Sequence, residues 1–255
     1  MAEVAALVAK GLELGLERGW FGRVRRFFQK KRRILVLGAA GTGKTAFVRS
    51  LSGAALGASD LFRPTLVISQ TRVTLEGLRF VVIDTPGHEI YQAVRRDAVV
   101  QGMRRRFDGI MNVVCYGYHE IETPREEVLR ADHLRPRAKY LQNRRRVEVE
   151  QLLSWRELAR PELTPWVMTL VNKADLWREE SDAVMRYYES GEYHEGLADL
   201  PARVHHMTLP YCATIQTFFG GLTSGRFGDH DRAGLQAYFV KTLMDAAGKE
   251  RGVRQ

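Results

Sequence analysis

The chain has little cysteine and no long apolar segment. Its 255 residues include only two cysteines, Cys115 and Cys212, and each lies within an apolar, strand-like stretch. This pattern favours buried, reduced thiols in a cytoplasmic protein over a disulfide framework. No uncharged apolar run reaches the roughly 18 residues that a membrane span needs. We therefore expect a cytoplasmic protein without a spanning helix.

Two further kinds of signal are missing. The first residues, Met1-Ala2-Glu3-Val4, offer neither a cationic start nor a small-residue cleavage site, so we expect no secretory leader. The 7 histidines lack the spacing of metal ligands, and the His205-His206 pair alone is weak support for a metal. No structural metal is predicted from the sequence.

The positive charge is concentrated near the start of the chain. Residues 1–33 contain nine Lys or Arg and three Glu, a net charge of +6, so the other 222 residues carry only +3 of the total of +9. Apolar residues recur every four positions from Val4 to Trp20, which predicts an amphipathic helix. We therefore expect a basic, helical N-terminal extension over residues 1–32.

The end of this extension mixes aromatic and cationic side chains. Residues 20–33 contain four aromatics and seven Lys or Arg. Three interpretations stay open: the aromatics pack on the rest of the chain, the segment contacts an anionic membrane surface, or it binds nucleic acid. Nucleic acid is the least favoured of the three. Residues 1–33 are thus the candidate for a peripheral membrane contact.

A glycine-rich motif follows the first apolar strand. Residues 38–45 read Gly-Ala-Ala-Gly-Thr-Gly-Lys-Thr directly after Ile34–Leu37, which is the strand–loop–helix setting of a phosphate-binding loop. The Lys44 ammonium is expected to reach the β- and γ-phosphates, and the Thr45 hydroxyl to bind Mg²⁺. The residues expected to cradle a nucleoside triphosphate are Gly38, Ala40, Gly41, Thr42, Gly43, Lys44, Thr45 and Ala46.

A second motif ends another apolar strand. The sequence Val81-Val82-Ile83-Asp84-Thr85-Pro86-Gly87-His88 places an aspartate where ligands of α/β sheets bind, at the carboxyl end of a strand. Asp84 can hold Mg²⁺, and the Gly87 N–H can contact a γ-phosphate.

A third motif, Asn172-Lys173-Ala174-Asp175, has the chemistry of guanine recognition. The Asp175 carboxylate can accept hydrogen bonds from the base N1–H and the 2-amino group, which adenine does not offer. Asn172 can bond the other edge of the base, and the Lys173 stem can cover a ring face. The motif favours GTP and GDP over the adenine nucleotide of a P-loop kinase.

The alternation of strands and helices over residues 33–250 predicts a three-layer α/β/α fold with a mostly parallel sheet. Extended runs at Leu66–Leu75 and Leu78–Asp84, joined at Glu76-Gly77, predict one antiparallel hairpin strand. An apolar strand is expected over Gly109–Gly117, and a longer helical segment follows at 119–165. Its cluster of cations is partly balanced by Glu148 and Glu150, which indicates a solvated face or an effector surface.

In order along the chain, four motifs resemble the first four signatures of a known family, the Ras-like small GTPases of the translation-factor-related (TRAFAC) P-loop class. They are Gly38–Thr45, Thr65, Asp84–Gly87 and Asn172–Asp175. The resemblance runs from about residue 33 to 247 and implies the P-loop GTPase fold. It also implies a fifth signature at Cys212-Ala213-Thr214, with cysteine in place of serine, that gives a backbone N–H to the guanine carbonyl.

The resemblance assigns further roles. Thr65 would give its hydroxyl to Mg²⁺ and its main chain to the γ-phosphate, with Ser69 and Thr71 as competing candidates. His88 stands where elongation-factor-like members carry a water-orienting histidine. The implied catalytic residues are therefore His88, Lys44 and Thr65, and the implied metal ligands are Thr45, Thr65 and Asp84.

The implied activity is Mg²⁺-dependent hydrolysis of GTP to GDP by a molecular switch. Arg63 and Arg95-Arg96 are candidates for an internal arginine finger, but a solvated cation is favoured for each. Turnover is therefore expected to be slow without a partner. An effector or a GTPase-activating protein is expected, and a homodimer stays open. The alternative is a GTP-gated scaffold with negligible hydrolysis, docked to a membrane or partner through its N-terminal helix.

Overall fold

The computed structural model describes residues 32–52, 69–75, 78–84, 107–130, 135–159, 164–215, 217–220 and 227–249. Its strands are β1 (Arg32–Leu37), β2 (Ser69–Leu75), β3 (Leu78–Asp84), β4 (Gly109–Val114), β5 (Trp166–Val171) and β6 (His205–Pro210). Its helices are α1 (Lys44–Ser52), α2 (Arg125–Val128), α3 (Ala138–Ala159), α4 (Ala174–Trp177), α5 (Ser181–Glu189), α6 (Glu192–Glu195) and α7 (Asp229–Lys249). Residues 1–31 of the predicted N-terminal extension, 1–32, lie outside the described residues, and Arg32 is the first residue of β1.

The six strands form one sheet in the order β2-β3-β1-β4-β5-β6. The β2–β3 pair is antiparallel, and the other neighbouring pairs are parallel. The predicted mostly parallel α/β fold with one antiparallel hairpin is therefore confirmed. None of the helices in the described ranges is long and apolar enough to cross a membrane.

Helices cover both faces of the sheet because the central strands are apolar on both faces. Along β1, Leu35 and Leu37 belong to one apolar core, while Ile34 and Val36 belong to the other. The first core includes α3 and α5 side chains, and the second includes α1 and α7 side chains; among them are Leu152, Trp155, Val184, Tyr188, Phe47, Val48, Phe239 and Leu243. The result is the predicted three-layer arrangement.

The sheet brings the predicted motifs to one edge. The parallel strands β1, β3, β4, β5 and β6 all end on the same side, so the loops that follow them meet there. Asp84, the last residue of β3, pairs in register with Val36, two residues before the glycine-rich loop begins. The Val114 carbonyl at the end of β4 accepts the Asn172 N–H at 2.7 Å, just after β5.

Strand β4 is shorter than predicted. It ends at Val114, whereas the apolar sequence favours a strand through Gly117. The chain turns because Tyr116 and Gly117 both adopt positive φ, 53° and 85°, which no strand residue does. The Tyr116 and Gly117 N–H groups donate to Tyr188 and Glu148 instead of to a neighbouring strand.

A chain of polar side chains, buried except at His206, crosses the sheet beneath α6. The Asn112 amide on β4 donates to the Tyr193 hydroxyl, which also bonds Thr169 on β5. Thr169 Oγ1 lies 3.1 Å from His206 Nε2 on β6. Burial, followed by the nearby His194 and His205, lowers the pKa of His206 from 6.5 to about 4. His206 is therefore neutral in the folded protein at neutral pH.

We expect acid to destabilise the fold through His206. The unfolded chain binds a proton at residue 206 near pH 6.5, but the folded chain binds it only near pH 4. The contribution of neutral His206 to the free energy of unfolding is therefore fully present above pH 6.5 and is lost as the pH falls from 6.5 to 4. The loss is at most about 3 kcal/mol. Urea unfolding at several pH values should show a weaker pH dependence for His206→Gln than for the wild type.

The exposed His230 on α7 provides the matched control. The variant His230→Gln should follow the wild-type pH dependence. Identical curves for the wild type and His206→Gln would contradict a neutral, partly buried His206.

Candidate functional site

The glycine-rich loop between β1 and α1 depends on three glycines with positive φ. Gly38, Gly41 and Gly43 have φ values of 139°, 76° and 86°. A Cβ at Gly38 would lie 2.2 Å from the Val113 carbonyl oxygen, and one at Gly43 would lie 2.4 Å from Asn172 Nδ2. Side chains are excluded there, so the backbone can curl in the manner of a phosphate cradle.

The start of α1 is suited to an anion. Its first turn contains no acidic residue, and Lys44 is its first residue. The buried Lys44 Nζ donates to the carbonyl oxygens of Gly38 and Ala39, at 2.9 and 2.8 Å. A cation and the positive end of the helix dipole therefore lie together beside the loop, where phosphate oxygens are predicted.

Asn172 joins the phosphate loop to two other predicted site segments. Its Nδ2 donates to the Thr42 carbonyl at 3.0 Å, and its Oδ1 accepts the Ala213 N–H at 3.1 Å. The residue is buried, with 2% of its surface exposed. One side chain thus links the phosphate loop, the loop after β5 and the loop after β6. The Ala213 N–H is engaged by Asn172, so the base-carbonyl contact foreseen for residues 212–214 stays a prediction.

Asp175 lies beside the loop after β6 and is also buried. The Cys212 thiol donates to Asp175 Oδ1, with a sulfur–oxygen distance of 3.4 Å, and it also lies 3.3 Å from the Thr214 carbonyl oxygen. Burial, followed by the charge of Asp175, raises the pKa of Cys212 well above its usual value. The thiol therefore keeps its proton and supports the carboxylate that is predicted to read the base.

Lys173 has contacts that the sequence did not reveal. Its backbone is left-handed, with φ of 60°, and its Nζ donates to the Tyr118 carbonyl and to Glu120 Oε2, both at 2.8 Å. The Phe218 ring centre lies 5.9 Å from the same Nζ. No motif marks Tyr118, Glu120 or Phe218, which are distant from Lys173 in the sequence. Their contact depends on the packing of separate loops.

Several predicted site residues lie outside the described part of the chain: Thr65, Gly87 and His88. Their roles stay predictions. The donor set nevertheless fits the expected ligands. The glycine cradle leaves room for phosphate oxygens, and Thr45 follows Lys44 at the start of α1, while Asp84 ends the neighbouring strand β3. Hydroxyl and carboxylate oxygens are the ligands that Mg²⁺ prefers.

A second group of polar side chains lies apart from these loops. One ligand atom from each of Cys115, His119 and Glu148 lies within 4.8 Å of the other two, and all three residues are buried. Such a set could hold a metal ion, and its spacing in the sequence, 4 and 29 residues, follows no metal motif.

Comparison with known proteins gives one family match over part of the chain and two structures of similar fold. A family model described as a 50S ribosome-binding GTPase matches residues 33–148. No protein of curated function matches the chain by sequence. The crystal structure of a dimerisation-deficient mutant of Toc33 from Arabidopsis thaliana is similar, with a TM-score of 0.51, 16% identity, and 97% of this chain and 94% of that chain covered. At that identity the likeness concerns the fold.

A further similar structure is the Arl6 (BBS3) small GTPase from Trypanosoma brucei with the bound nucleotide analogue GppNp. Its TM-score is 0.48 at 14% identity, with 89% of this chain and 99% of that chain covered. The family match, together with the fold and the loops described above, supports a P-loop GTPase.

The thiol–carboxylate contact gives a testable expectation. Cys212→Ala removes one donor from Asp175 and should weaken binding of a fluorescent GDP analogue about threefold, the value of one modest hydrogen bond. Cys212→Ser keeps a donor at the same position and should bind like the wild type. Equal affinity of the alanine and serine variants in an equilibrium titration would show that this contact does not support the base site.

Proposed function

We propose that the chain is a Mg²⁺-dependent switch that binds and hydrolyses GTP and recruits a partner in its GTP state. The observation that carries this proposal is the Asn172 side chain, which bonds both the Thr42 carbonyl and the Ala213 N–H. That bridge fixes Asp175 and the phosphate loop within one site. A nucleotide that spans both must present its base to Asp175 and its phosphates to Lys44.

Base selection is assigned to Asp175. Its carboxylate would accept hydrogen bonds from guanine N1–H and the 2-amino group, with Cys212 holding it in place. Adenine offers neither of these two donors to the carboxylate, and the loss of both hydrogen bonds in a buried site is costly. The Lys173 stem would cover a ring face, and the loop at 212–214 would supply an N–H to the base carbonyl.

The phosphates are assigned to the glycine-rich loop and the start of α1. Lys44 and the loop N–H groups would hold the β- and γ-phosphates, and Thr45, Thr65 and Asp84 would hold Mg²⁺. Bound Mg²⁺ would neutralise charge on the phosphate oxygens. His88 would orient the attacking water.

The proposed site supports recognition of a partner by the GTP state. The γ-phosphate would be contacted by Thr65 and Gly87, whose segments would order with GTP and relax with GDP. An effector or a GTPase-activating protein would read that difference. A cytoplasmic location is part of this proposal, with residues 1–33 as a peripheral membrane contact and a homodimer as a further mode of assembly.

Base specificity can be tested by exchanging the carboxylate. Asp175→Asn replaces an acceptor with an amide that can donate, so it should reduce GDP affinity about a hundredfold or more. The same variant should favour xanthosine diphosphate, because the 2-oxo group of xanthine can accept a hydrogen bond from the Asn amide where guanine has a 2-amino donor. Asp182→Asn, at an exposed position on α5, is the matched control and should bind GDP like the wild type. Unchanged GDP affinity in Asp175→Asn would exclude Asp175 as the base-reading group.

Hydrolysis can be tested by single-turnover release of phosphate from GTP. His88→Ala should slow the step about tenfold or more, because a positioned water is lost. Lys44→Ala should abolish it through loss of nucleotide binding. GDP titration of His88→Ala should show wild-type affinity, which separates chemistry from binding. Wild-type release at the uncatalysed rate would favour the scaffold alternative, and wild-type release by His88→Ala would remove the role of that residue.

A further inference from the structure

Glu148 is a buried carboxylate that the nucleotide site itself does not use. It lies in the middle of α3, with 1% of its surface exposed. Its Oε1 accepts from the Cys115 N–H at 2.9 Å, the Gly117 N–H at 3.3 Å and His119 Nε2 at 2.9 Å. Its Oε2 accepts from the Tyr188 hydroxyl at 2.5 Å. Four donors therefore satisfy one charge in the interior.

Three of those donors belong to one tight turn, residues 115–120, which we call the β4 loop; the fourth, Tyr188, lies on α5. Tyr116 and Gly117 have positive φ, and a tyrosine in that region is strained by about 1 kcal/mol or more. The Tyr116 N–H donates to the Tyr188 hydroxyl at 2.7 Å, so the three successive N–H groups of residues 115–117 all converge on Glu148 or its partner. Such a row of N–H groups is an anion-binding nest, and here the anion is a side chain of the same molecule.

The protonation states agree with this geometry. Burial would raise the pKa of Glu148, but hydrogen bonds from His119, Tyr188 and the Cys115 amide outweigh it and lower the pKa. Burial lowers the pKa of His119 despite the nearby carboxylate. A charged Glu148 thus accepts a hydrogen bond from the Nε2–H group of a neutral His119. The His119 carbonyl is held separately by the Tyr140 hydroxyl at 2.7 Å.

The far end of the β4 loop contacts the nucleotide elements. The Glu120 N–H donates to the Gly41 carbonyl at 3.2 Å, and a Cβ on Gly41 would lie 2.6 Å from the Glu120 carbonyl oxygen. The Tyr118 carbonyl and the Glu120 carboxylate both accept from Lys173 Nζ at 2.8 Å. The loop therefore sets the position of one phosphate-loop residue and of the lysine predicted to cover the base.

We infer that Glu148 is a positioning residue for guanine-nucleotide binding, because it holds the β4 loop in the strained shape that places Tyr118 and Glu120 against Lys173 and Gly41. The inference rests on the proposed function. A metal site is the competing interpretation, since Cys115, His119 and Glu148 could bind one ion together. The four donors already on the Glu148 carboxylate favour the hydrogen-bonded arrangement, as a metal would have to displace the His119 contact.

The test uses Glu148→Gln, a change that keeps the shape and removes the charge. Dissociation of a fluorescent GDP analogue, measured well below the melting temperature, should become about tenfold faster, the value of one charge-assisted hydrogen bond. Glu150→Gln, two residues along the same helix and exposed, should dissociate GDP at the wild-type rate. Val184→Ala, which removes buried apolar volume from the core on α5, should lower the melting temperature without changing that rate.

The route through Lys173 is tested with Glu120→Gln. If Glu148 acts through the β4 loop, the double variant should dissociate GDP little faster than Glu120→Gln alone. Hydrogen exchange without nucleotide gives a second readout: amides of 115–120 and of 172–175 should exchange faster in Glu148→Gln. Wild-type rates of both GDP release and exchange in Glu148→Gln would overturn the inference.

The outcomes separate this inference from the proposed function. A wild-type chain that fails to bind GDP would contradict the proposed function. Hydrogen exchange without nucleotide would still test whether Glu148 stabilises the β4 loop. One equivalent of zinc in the purified wild type, absent from Glu148→Gln, would overturn the hydrogen-bonded arrangement in favour of a metal site. Metal-free wild-type protein with fast GDP release in Glu148→Gln is the result expected.

Discussion

The site depends on Asn172, because this one buried residue ties four segments together. Its N–H donates to the Val114 carbonyl, and its carbonyl accepts from Trp177 Nε1, each at 2.7 Å. Its side chain bonds the phosphate loop at Thr42 and the loop after β6 at Ala213. Each polar group of Asn172 thus has a partner, and losing one would leave a buried group unsatisfied. Asn172 therefore fixes the relative positions of these segments, because its buried partners have few other groups to bond.

The parallel sheet brings together the loops that Asn172 bonds. Loops that follow β1, β4, β5 and β6 converge at one edge because parallel strands share their direction. Around Asn172, charged side chains are held by hydrogen-bond partners within the protein: Asp175 by the Cys212 thiol, Lys173 by the Glu120 carboxylate, and Glu148 by N–H groups of the β4 loop. Buried polar networks of this kind stabilise one arrangement of the loops when every member is satisfied.

Local patterns in the sequence were enough for the motifs and for most of the sheet. The glycine-rich loop and the Asn172–Asp175 motif are defined by spacing within a few residues after an apolar strand. The contacts of Lys173 could not be read this way, because Tyr118 and Glu120 precede it by 55 and 53 residues. Their approach depends on how the loops after β4 and β5 pack together.

The sequence of α3 contains a signal for a buried charge. The prediction that Glu148 lies on an exposed face with Glu150 is wrong, because Glu148 is buried. It falls in the rhythm of the buried residues Tyr140, Leu152 and Trp155, at intervals of eight, four and three residues, so the apolar stripe contains a carboxylate. A charged residue within an apolar stripe indicates a buried partner. The early end of β4 has the same cause, since the N–H groups of 115–117 point to that carboxylate and its tyrosine partner.

The central claim is that one site, tied together by Asn172, selects guanine nucleotides. Direct competition tests it: the wild-type chain is loaded with a fluorescent GDP analogue, and GTP or ATP is added with Mg²⁺. We expect GTP to displace the analogue, and ATP to do so only at about a hundredfold higher concentration or more. Equal displacement by ATP and GTP would contradict it.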